Sequence, residues 1–421
     1  MVSQQNRGLG QRGFQRRAFL RGMAGFGSAV AIAKLTGCTP PETEEAGVRD
    51  DGASEVSGEP IKLGLVAAIT GSSALSGESI KRGLEVAIDE INASGGAMGR
   101  PVELVIRDDE STPAKGVAAA RELIEQEQVA VIFGGLDSPV SLAMLPVIHE
   151  LETPYMGVWA AATGITRNDF EPNYAFRVSA NDNIVDSFLT RYAQQEEGAS
   201  KVGLVLINNP WGESNQQGFE EWAPQYDLEI VGIEKFNEGD TDISAQLGRL
   251  QESGAETLLL VANAAPGAQM MKSLERLDWD VPVVSHWGIS GGRFPELAGE
   301  EAAKKVTFVQ TYSFFGAQSP VGEKVLAALQ EKYDLAGPEE ILAPVGTANA
   351  YDAMHLTALA IETANSLEGS ELREAFYNVP TYEGLIKTYE QPFTPEDRDA
   401  LDEDDYILVQ WEGNQIVPLE D

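Results

Sequence analysis

From Ile61 onward, short apolar runs alternate with amphipathic stretches, and this alternation restricts the fold more than any other feature of the sequence. The apolar runs predict strands at residues 61–69, 102–106, 129–133, 155–158, 202–207, 229–233, 257–261, 281–285 and 306–310. The amphipathic stretches predict helices at 80–91, 113–126, 139–151, 213–223, 241–253 and 266–277. Strands and helices that alternate at this spacing form parallel sheets with right-handed crossovers. One doubly wound sheet rarely holds so many units, so the sequence predicts an α/β fold with two doubly wound parallel-sheet lobes.

The first predicted helix illustrates the periodicity on which these assignments depend. Its apolar residues recur at spacings of three and four, at Ile80, Leu84, Ala87, Ile88 and Ile91. Beyond residue 310 the same reasoning predicts long helices at 319–333, 346–366 and 370–377. It also predicts closing strands at 385–388, 406–410 and 415–417.

The first 38 residues differ in charge from the rest of the chain and resemble an export signal with a lipid-attachment site. They carry six basic residues and no acid. Arg16-Arg17, followed by Ala-Phe-Leu-Arg, resembles a twin-arginine signal. Residues 22–33 are too short to span a bilayer, which takes about 20 apolar residues. Leu35-Thr36-Gly37-Cys38 resembles a lipobox, in which Cys38 becomes the lipid-bearing first residue; the alternative is a free cysteine in a leader.

Residues 39–60 predict a disordered acidic spacer between this signal and the folded body. They include Pro40 and Pro41 and contain no aromatic residue, so they cannot bury enough apolar surface to fold. Because Cys38 is the only cysteine of the chain, no intrachain disulfide can form.

The net charge limits the partners of the folded part. The chain has 30 basic and 66 acidic side chains, a net charge of −36. Without the six basic residues of the leader, 24 basic remain against 66 acidic, a net of −42. Such a surface repels phosphate backbones and anionic lipid headgroups, so nucleic acid is excluded and the membrane is expected to be reached only through the lipid anchor. Dense carboxylates with few lysines also predict an outer surface suited to a saline medium.

The loops that follow the predicted strands are the candidate ligand site, because ligands of open parallel sheets bind outside the carboxyl ends of the strands. These loops span residues 70–73, 136–138, 160–163, 208–211, 262–265 and 286–290. Their residues are small or aromatic and nearly all uncharged. This composition favours a compact ligand held by hydroxyls, backbone N–H groups and aromatic walls.

Residues 61–100 read IKLGLVAAITGSSALSGESIKRGLEVAIDEINASGGAMGR. The strand ending in Thr-Gly, the helix ending in IDEINASGG, the Gly-Arg-Pro that follows and the later Asp108-Asp109 resemble the branched-chain amino-acid-binding family, the type I periplasmic binding proteins of ABC importers. The resemblance covers about residues 61–421. It implies two lobes, joined by three crossovers, that close over a ligand by hinge motion. Lobe 1 is expected at 61–178 plus 311–403, and lobe 2 at 179–310 plus 404–421.

The resemblance and the strand-end loops together give the candidate ligand-binding residues. These are Ser138, Ala161, Ala162, Thr163, Trp211, Trp287, Trp159 and Ser72. In the family, a serine matching Ser138 holds the ligand's carboxylate, and an aromatic residue matches Trp211. A segment matching Ala161-Ala162-Thr163 supplies backbone and hydroxyl donors. Each position also has a structural alternative: Ser138 as a helix N-cap, Thr163 as a turn residue and the tryptophans as packing residues.

Departures from the family's amino-acid binders affect the expected ligand. Trp287 stands at about the position of the acid that pairs with the ligand's ammonium. Ala264 and Ala265 replace tyrosines, and Ser111 and Asp137 replace the cysteines of a small disulfide loop. An α-amino acid would therefore leave its ammonium without a counter-charge in a closed cleft, which is costly. The expected ligand is a small amino-acid-like molecule, a carboxylate, an amide, a urea-like molecule or an aromatic acid.

The sequence thus predicts an exported protein, lipid-anchored to the outer face of the cytoplasmic membrane, that presents a small ligand to an ABC permease. No catalysis, cofactor or metal is expected, since His149, His286 and His355 lack metal-ligand spacing and no phosphate-binding glycine motif is present. Two alternatives stay open. The same module could act as a sensor for a signalling partner. The segment 288–292, Gly-Ile-Ser-Gly-Gly, also fits the nucleophile elbow of a serine hydrolase using Ser290, although His355, the only later histidine, falls in a predicted helix.

Overall fold

The first sheet is parallel and uses strands from the early part of the folded chain. The structure is a computed structural model and describes residues 56–419. The strands are β1 (Ile61–Ala67), β2 (Val102–Asp108), β3 (Ile132–Gly134), β4 (Tyr155–Gly157) and β5 (Ala175–Arg177). They lie in the order β2-β1-β3-β4-β5, and every neighbouring pair is parallel. The intervening helices are α1 (Ala74–Ala93), α2 (Pro113–Glu125) and α3 (Ser138–Glu150).

The second sheet repeats this arrangement. Its parallel strands are β6 (Lys201–Ile207), β7 (Glu229–Phe236), β8 (Thr257–Val261), β9 (Val283–Ser285) and β10 (Val306–Gln310). They lie in the order β7-β6-β8-β9-β10, which is the order of the first sheet. The helices along this part are α4 (Asp182–Gln195), α5 (Pro210–Trp222), α6 (Ser244–Glu252), α7 (Ala264–Arg276), α8 (Phe294–Ala298) and α9 (Glu300–Ala303). The predicted fold of two doubly wound parallel sheets is therefore confirmed.

The C-terminal part of the chain packs a helix beside the first sheet, forms a separate two-stranded sheet and adds two strands to the second sheet. It contains α10 (Pro320–Tyr333), α11 (Pro344–Ala364), α12 (Gly369–Phe376), β11 (Tyr382–Glu383), β12 (Thr388–Tyr389), β13 (Ile407–Glu412) and β14 (Gln415–Pro418). Helix α11 packs on α1, where the hydroxyl groups of Ser79 and Thr347 lie 3.0 Å apart. Strand β13 then pairs antiparallel with β10 and with β14, so the chain returns to the second sheet before it ends.

The crossovers between the sheets are joined by a buried ion pair. Arg177, at the end of β5, precedes the first crossover, and Asp399 precedes the last. The Arg177 Nη2 lies 2.7 Å from Asp399 Oδ1, and both side chains are buried. Asn181 Nδ2 donates to Asp399 Oδ2 at 2.6 Å. Burial alone would raise the pKa of Asp399, but Arg177, Thr166 and Asn181 hold it below its usual value. Side chains at the first and last crossovers therefore form one buried polar cluster. The lobe boundaries stay a prediction.

Several predicted elements differ from the structure for local reasons. The strand predicted at 281–285 begins only at Val283, because Pro282 has no N–H to donate to a neighbouring strand. The strand predicted at 385–388 is wrong for residues 385–387, which turn between the two short strands β11 and β12; only Thr388 lies in a strand. The N–H groups of Leu385 and Ile386 instead donate to the carboxylate of Asp352, at 2.6 and 2.9 Å.

Strand β5 and helix α4 were not predicted from the sequence. Strand β5 has only three residues, too few for a periodic signal. Helix α4 buries Val185 and Leu189 at helical spacing, but Asp182 and Asp186 are buried on the same helix and weaken its apolar pattern. Fully buried carboxylates are uncommon, and Asp182 accepts a hydrogen bond from the side chain of Trp211.

The predicted signal at residues 1–38, including Cys38, and residues 39–55 of the predicted spacer lie outside the described residues. Residues 56–60 are described, and the N–H of Ser57 donates to the carbonyl of Gly99 at 3.3 Å. Among the helices within residues 56–419, none combines the length and the apolar character that crossing a membrane would require.

Candidate functional site

Loops that follow strands of both sheets line two adjoining cavities. The first has a volume of about 10 Å³, room for about one water molecule, and the second about 150 Å³. Both are bordered by Leu136, Asn263 and Gly288. Of the predicted ligand-binding residues, the first cavity collects Ser138, Ala161, Trp159, Trp211 and Trp287. Ser72 lines the second, whereas Ala162 and Thr163 line neither.

Three tryptophans enclose the first cavity. The rings of Trp159 and Trp287 meet edge to face with centroids 6.3 Å apart, and both side chains are buried. Trp211 lies on the second-sheet side, and its Nε1 donates to Asp182 Oδ1 at 3.1 Å. The Nε1 of Trp159 has no hydrogen-bond partner among the described residues. The tryptophans therefore pack against neighbouring side chains and also line the cavity, the two roles between which the sequence left the choice open.

Ser138 is the first residue of α3, and Asp137 occupies the N-cap position. The hydroxyl oxygen of Ser138 accepts from the N–H of Ala162 at 3.2 Å. The alternative of Ser138 as an N-cap is therefore wrong. Because a hydroxyl oxygen that accepts one hydrogen bond can still donate its own proton, Ser138 keeps a free donor next to the first cavity.

Thr163 is engaged with other parts of the protein. Its N–H donates across the sheets to the hydroxyl oxygen of Ser214 on α5, at 3.1 Å. Its hydroxyl donates to Asn181 Oδ1 at 3.0 Å, beside the first crossover. In this conformation Thr163 therefore links its own loop to α5 on the second-sheet side and to Asn181 beside the first crossover.

Asp137 is a cavity-lining acid that the sequence analysis did not count among the ligand-binding residues. Its Oδ1 accepts from Asn263 Nδ2 of the second-sheet side at 3.3 Å. Burial raises the pKa of Asp137 to about 6; the Ser111 hydroxyl opposes this rise, and the charge of Glu238 adds to it. The available signal was its position within the strand-end loop 136–138, beside Ser138.

Asp109 is a second carboxylate, which lines neither cavity but is close enough to Asp137 for the two charges to interact. It is buried, and its Oδ1 accepts from the N–H of Ser111 at 2.7 Å. Burial raises the pKa of Asp109 to about 7, with the charges of Asp137 and Asp108 adding to the rise. Glu110 and Ser111 both have left-handed backbone, with φ of 47° and 55°, which costs energy for residues other than glycine. This strained turn carries Ser111 to the border of the second cavity.

A buried polar cluster lies behind Trp211. Asp182, at the start of α4, accepts from Trp211, and the same oxygen lies 3.0 Å from Nε2 of His286 without a well-aligned N–H. The rings of Trp211 and His286 meet edge to face at 5.2 Å. Burial, with the charge of Asp182 adding to it, raises the pKa of Asp186 well above its usual value. The cluster connects one wall of the cavity to the helix after the first crossover.

Ser290 has a structural role. It is fully buried, its hydroxyl donates to the carbonyl of Trp287 at 2.7 Å, and it accepts from Gln310 Nε2 at 3.2 Å. The glycines around it are required by close packing. A Cβ on Gly288 would lie 2.6 Å from the carbonyl oxygen of Ala262, and one on Gly291 would lie 2.7 Å from Leu136 Cδ1. Close packing thus accounts for the sequence pattern that resembled a nucleophile elbow.

Within residues 56–419, no group of three or more His, Cys, Asp or Glu side chains could hold a metal ion. The chemistry of the cavities is that of a binding site: aromatic walls, a few hydroxyl and amide groups, and carboxylates.

Comparisons with known proteins agree with this geometry. Residues 60–415 match the family model described as periplasmic binding protein. The chain is 24% identical over 361 residues to Leu/Ile/Val-binding protein homolog 3 of Brucella melitensis, covering 86% of this chain and 94% of the relative. That relative, like the solved structures below, is a binding protein and not an enzyme.

Two of the solved structures that share the fold show how far the likeness extends. A type 1 periplasmic binding protein from Bordetella pertussis superposes with a TM-score of 0.77 at 22% identity, covering 86% of this chain and all of the other. A solute-binding protein of an ABC transporter from R. palustris, in complex with 4-hydroxybenzoate, gives a TM-score of 0.72 at 21% identity, covering 86% and 96%. The family implies an exported, extracytoplasmic protein. The chain belongs to the periplasmic binding protein family, as a type I member related to the Leu/Ile/Val-binding proteins.

Proposed function

We propose that the mature protein is a lipid-anchored receptor that captures one small solute between its two sheets and delivers it to a membrane ABC permease. The observation that carries this proposal is the convergence of strand-end loops from both sheets on the two adjoining cavities. A volume of about 150 Å³ can hold a body the size of benzene. The ligand of the R. palustris protein, 4-hydroxybenzoate, contains such a ring.

The N-terminus of α3 is where we expect an acceptor group of the ligand, such as a carboxylate, an amide or a urea carbonyl. The positive end of a helix dipole favours such oxygen atoms. The Ser138 hydroxyl, which accepts from Ala162, has its own proton available for the ligand. Ala161 lines the same cavity, and its small side chain allows the ligand to approach the backbone closely. Trp159, Trp211 and Trp287 line this first cavity and would contact the part of the ligand that enters it.

Capture depends on closure of the two sheets. The hydrogen bonds between them include the one from the N–H of Thr163 to Ser214 at 3.1 Å and the one from Asn263 to Asp137 at 3.3 Å. Opening breaks both, and a ligand that contacts both sides stabilises the closed form by its difference in affinity for the two states. The closed conformation therefore marks the receptor that carries a ligand, and the permease distinguishes it from the empty, open receptor.

A thermal-shift screen of carboxylates, amides, ureas and amino acids, followed by calorimetry, tests solute capture. At 100 times its Kd, a ligand raises the unfolding free energy by about 2.7 kcal/mol. Gly291→Val should lower the affinity of the best compound by about tenfold or more, because the added side chain meets Leu136 across the sheets. Gly248→Ala is the matched control, since nothing lies within 4 Å of its added Cβ. Unchanged affinity in Gly291→Val would mean that the ligand binds elsewhere.

Membrane fractionation tests the lipid anchor. We expect the protein in the membrane fraction, Cys38→Ser in the soluble exported fraction, and the double variant Arg16→Lys, Arg17→Lys retained unprocessed inside the cell. Membrane attachment that persists in Cys38→Ser would overturn the anchor and leave solute capture untouched.

Uptake of the labelled solute by cells without the gene separates transport from sensing. Loss of uptake is expected. Normal uptake combined with loss of a transcriptional response would replace the permease with a signalling partner.

A further inference from the structure

Asp182 is a fully buried carboxylate at the point where the chain leaves the first crossover. It follows Asn181, whose side chain caps α4 and donates to Asp399 of the last crossover. A buried carboxylate is costly unless other groups donate to it. The groups that face Asp182 therefore indicate what it stabilises.

The side chain of Asp182 holds Trp211 directly. Trp211 Nε1 donates to Asp182 Oδ1 at 3.1 Å, and Trp211 lines the first cavity. One edge of the indole lies against the backbone of Gly288, since a Cβ on this glycine would lie 2.5 Å from Trp211 Cη2. Gly288 borders both cavities. A tilt of the indole would therefore change the shape of the space between the sheets.

Asp182 reaches Trp287 through one intervening ring. His286 Nδ1 accepts from the N–H of Trp287 at 2.8 Å, so in the neutral imidazole the proton lies on Nε2. His286 Nε2 lies 3.0 Å from Asp182 Oδ1. The buried ring of His286 meets both tryptophans edge to face, with centroids 5.2 Å from Trp211 and 5.6 Å from Trp287. One carboxylate oxygen thus faces the groups that orient two tryptophans of the first cavity.

The backbone of Asp182 contacts the opposite wall of the same cavity. Its N–H donates to the carbonyl of Ala161 at 2.8 Å. Ala161 follows β4 of the first sheet and lines the first cavity. Asp182 therefore touches the first-sheet wall through its backbone and the second-sheet wall through its side chain. A rotation at the crossover would change both contacts together.

The other buried acid of α4 lacks these contacts. Neither oxygen of Asp186 has a hydrogen-bond partner among the described residues, and burial and the charge of Asp182 raise the pKa of Asp186 well above its usual value. Asp182 instead lies in the first turn of α4, where the positive end of the helix dipole favours an anion. The negative charge is therefore best placed on Asp182, where it strengthens the hydrogen bond from Trp211.

We propose that Asp182 is a positioning residue of the ligand site: it holds Trp211 directly, and Trp287 through His286, in the orientation that a ligand contacts. It also transmits rotation at the first crossover to both walls of the cavity. This inference rests on the proposed function and concerns how that site is regulated. Because Asp182 lines neither cavity, its replacement should weaken binding without removing a ligand contact.

Hydrogen exchange, measured by NMR on the 15N-labelled protein without ligand, tests the positioning. In Asp182→Ala, the indole N–H of Trp211 and the backbone N–H of Trp287 should both exchange at least about tenfold faster. Trp211→Phe assigns the indole signal. Asp182→Asn keeps the shape of the side chain and an acceptor oxygen, so it should fold and restore most of the protection at Trp211. Unchanged exchange at Trp287 in Asp182→Ala would overturn the proposal.

Asp352→Ala is the matched control for the loss of a buried carboxylate. Asp352 is fully buried, accepts from two backbone N–H groups and lines neither cavity. This variant should leave both exchange rates within about twofold. Equal acceleration in Asp352→Ala would mean that any loss of stability loosens the tryptophans, and it would overturn the proposal.

Calorimetry with two probes, 4-hydroxybenzoate and leucine, tests the effect on binding. Asp182→Ala should lower the affinity for a probe that binds by at least about fivefold. The losses in Asp182→Ala and Trp211→Phe should combine in the double variant to at least about threefold less than their product, because both changes break the same hydrogen bond. Losses that multiply in full would overturn the proposal.

The outcomes separate this inference from the proposed function. Normal affinity in Asp182→Ala, for a compound that binds the natural protein, overturns the positioning role and leaves solute capture intact. Failure of both probes and of the wider screen to bind overturns the proposed function, and this inference falls with it.

Discussion

The buried carboxylate of Asp109 gives a prediction whose size and sign follow from its surroundings. Asp109→Asn replaces it with a neutral group of the same shape. The Asn oxygen can keep the hydrogen bond from the N–H of Ser111, now 2.7 Å. What the substitution removes is the cost of ionising a group that is buried and lies beside Asp137 and Asp108. We therefore expect the variant to be more stable than the natural protein at alkaline pH.

The magnitude follows from the pKa. Burial and neighbouring charges raise the pKa of Asp109 from 3.8 to about 7. Because the folded state binds the proton more tightly, the free energy of unfolding falls as pH rises from about 4 to about 7, and the full cost applies above that. At about 1.4 kcal/mol per pKa unit, the full cost is about 4 kcal/mol, of which about 3 kcal/mol accrues between pH 5 and pH 8.

Urea unfolding followed by tryptophan fluorescence, at pH 5 and at pH 8, measures the effect. The stabilisation by Asp109→Asn should be larger at pH 8 than at pH 5, by up to about 3 kcal/mol. Asp108→Asn is the matched control with the opposite sign. Burial would raise the pKa of Asp108, but hydrogen bonds from Thr70, Glu110 and Ile69 hold it below its usual value, so this variant should be destabilised at neutral pH. An Asp109→Asn effect that is the same at both pH values would refute the reasoning.

Three further predictions concern other parts of the molecule. Asp399→Ala leaves Arg177 charged and unpaired in the interior, so the free energy of unfolding should fall by about 3–5 kcal/mol in urea titrations; a loss below about 1 kcal/mol would contradict the role of the pair. Ser290→Ala should hydrolyse p-nitrophenyl acetate no more slowly than the natural protein, since the hydroxyl is buried and donates to Trp287; a clear loss of hydrolysis would restore the enzyme hypothesis. With a net charge of −36, the protein should unfold at a lower temperature in low salt than in molar salt, because salt screens carboxylate repulsion; a midpoint independent of salt would argue against a saline habitat.

The architecture was predictable because it depends on a signal spread over the whole chain. Alternation of apolar runs with amphipathic helices such as α1 predicts parallel sheets, and the buried Ile80 and Leu84 lie on the face that the periodicity indicates. Local departures were not predictable. Strand β5 is too short to carry a pattern, and the backbone at 385–386 is held by Asp352, a residue more than thirty positions away in the sequence.

The candidate site was predictable as a place more than as a set of contacts. The strand-end rule selected loops that do meet, and Trp211 and Trp287 do lie at one cavity. The sequence cannot indicate that Thr163 is occupied by Ser214, or that Asp137 turns away from its own helix toward Asn263. Both depend on how the two sheets approach each other, which no local pattern encodes.

The central claim is that one small solute binds between the two sheets. A crystal structure of the protein with the best compound from the thermal-shift screen tests it most directly. We predict ligand density in the space bordered by Leu136, Asn263 and Gly288, in contact with at least one tryptophan and with residues of both sheets. Density at any other place on the protein, with this space empty, would contradict the account.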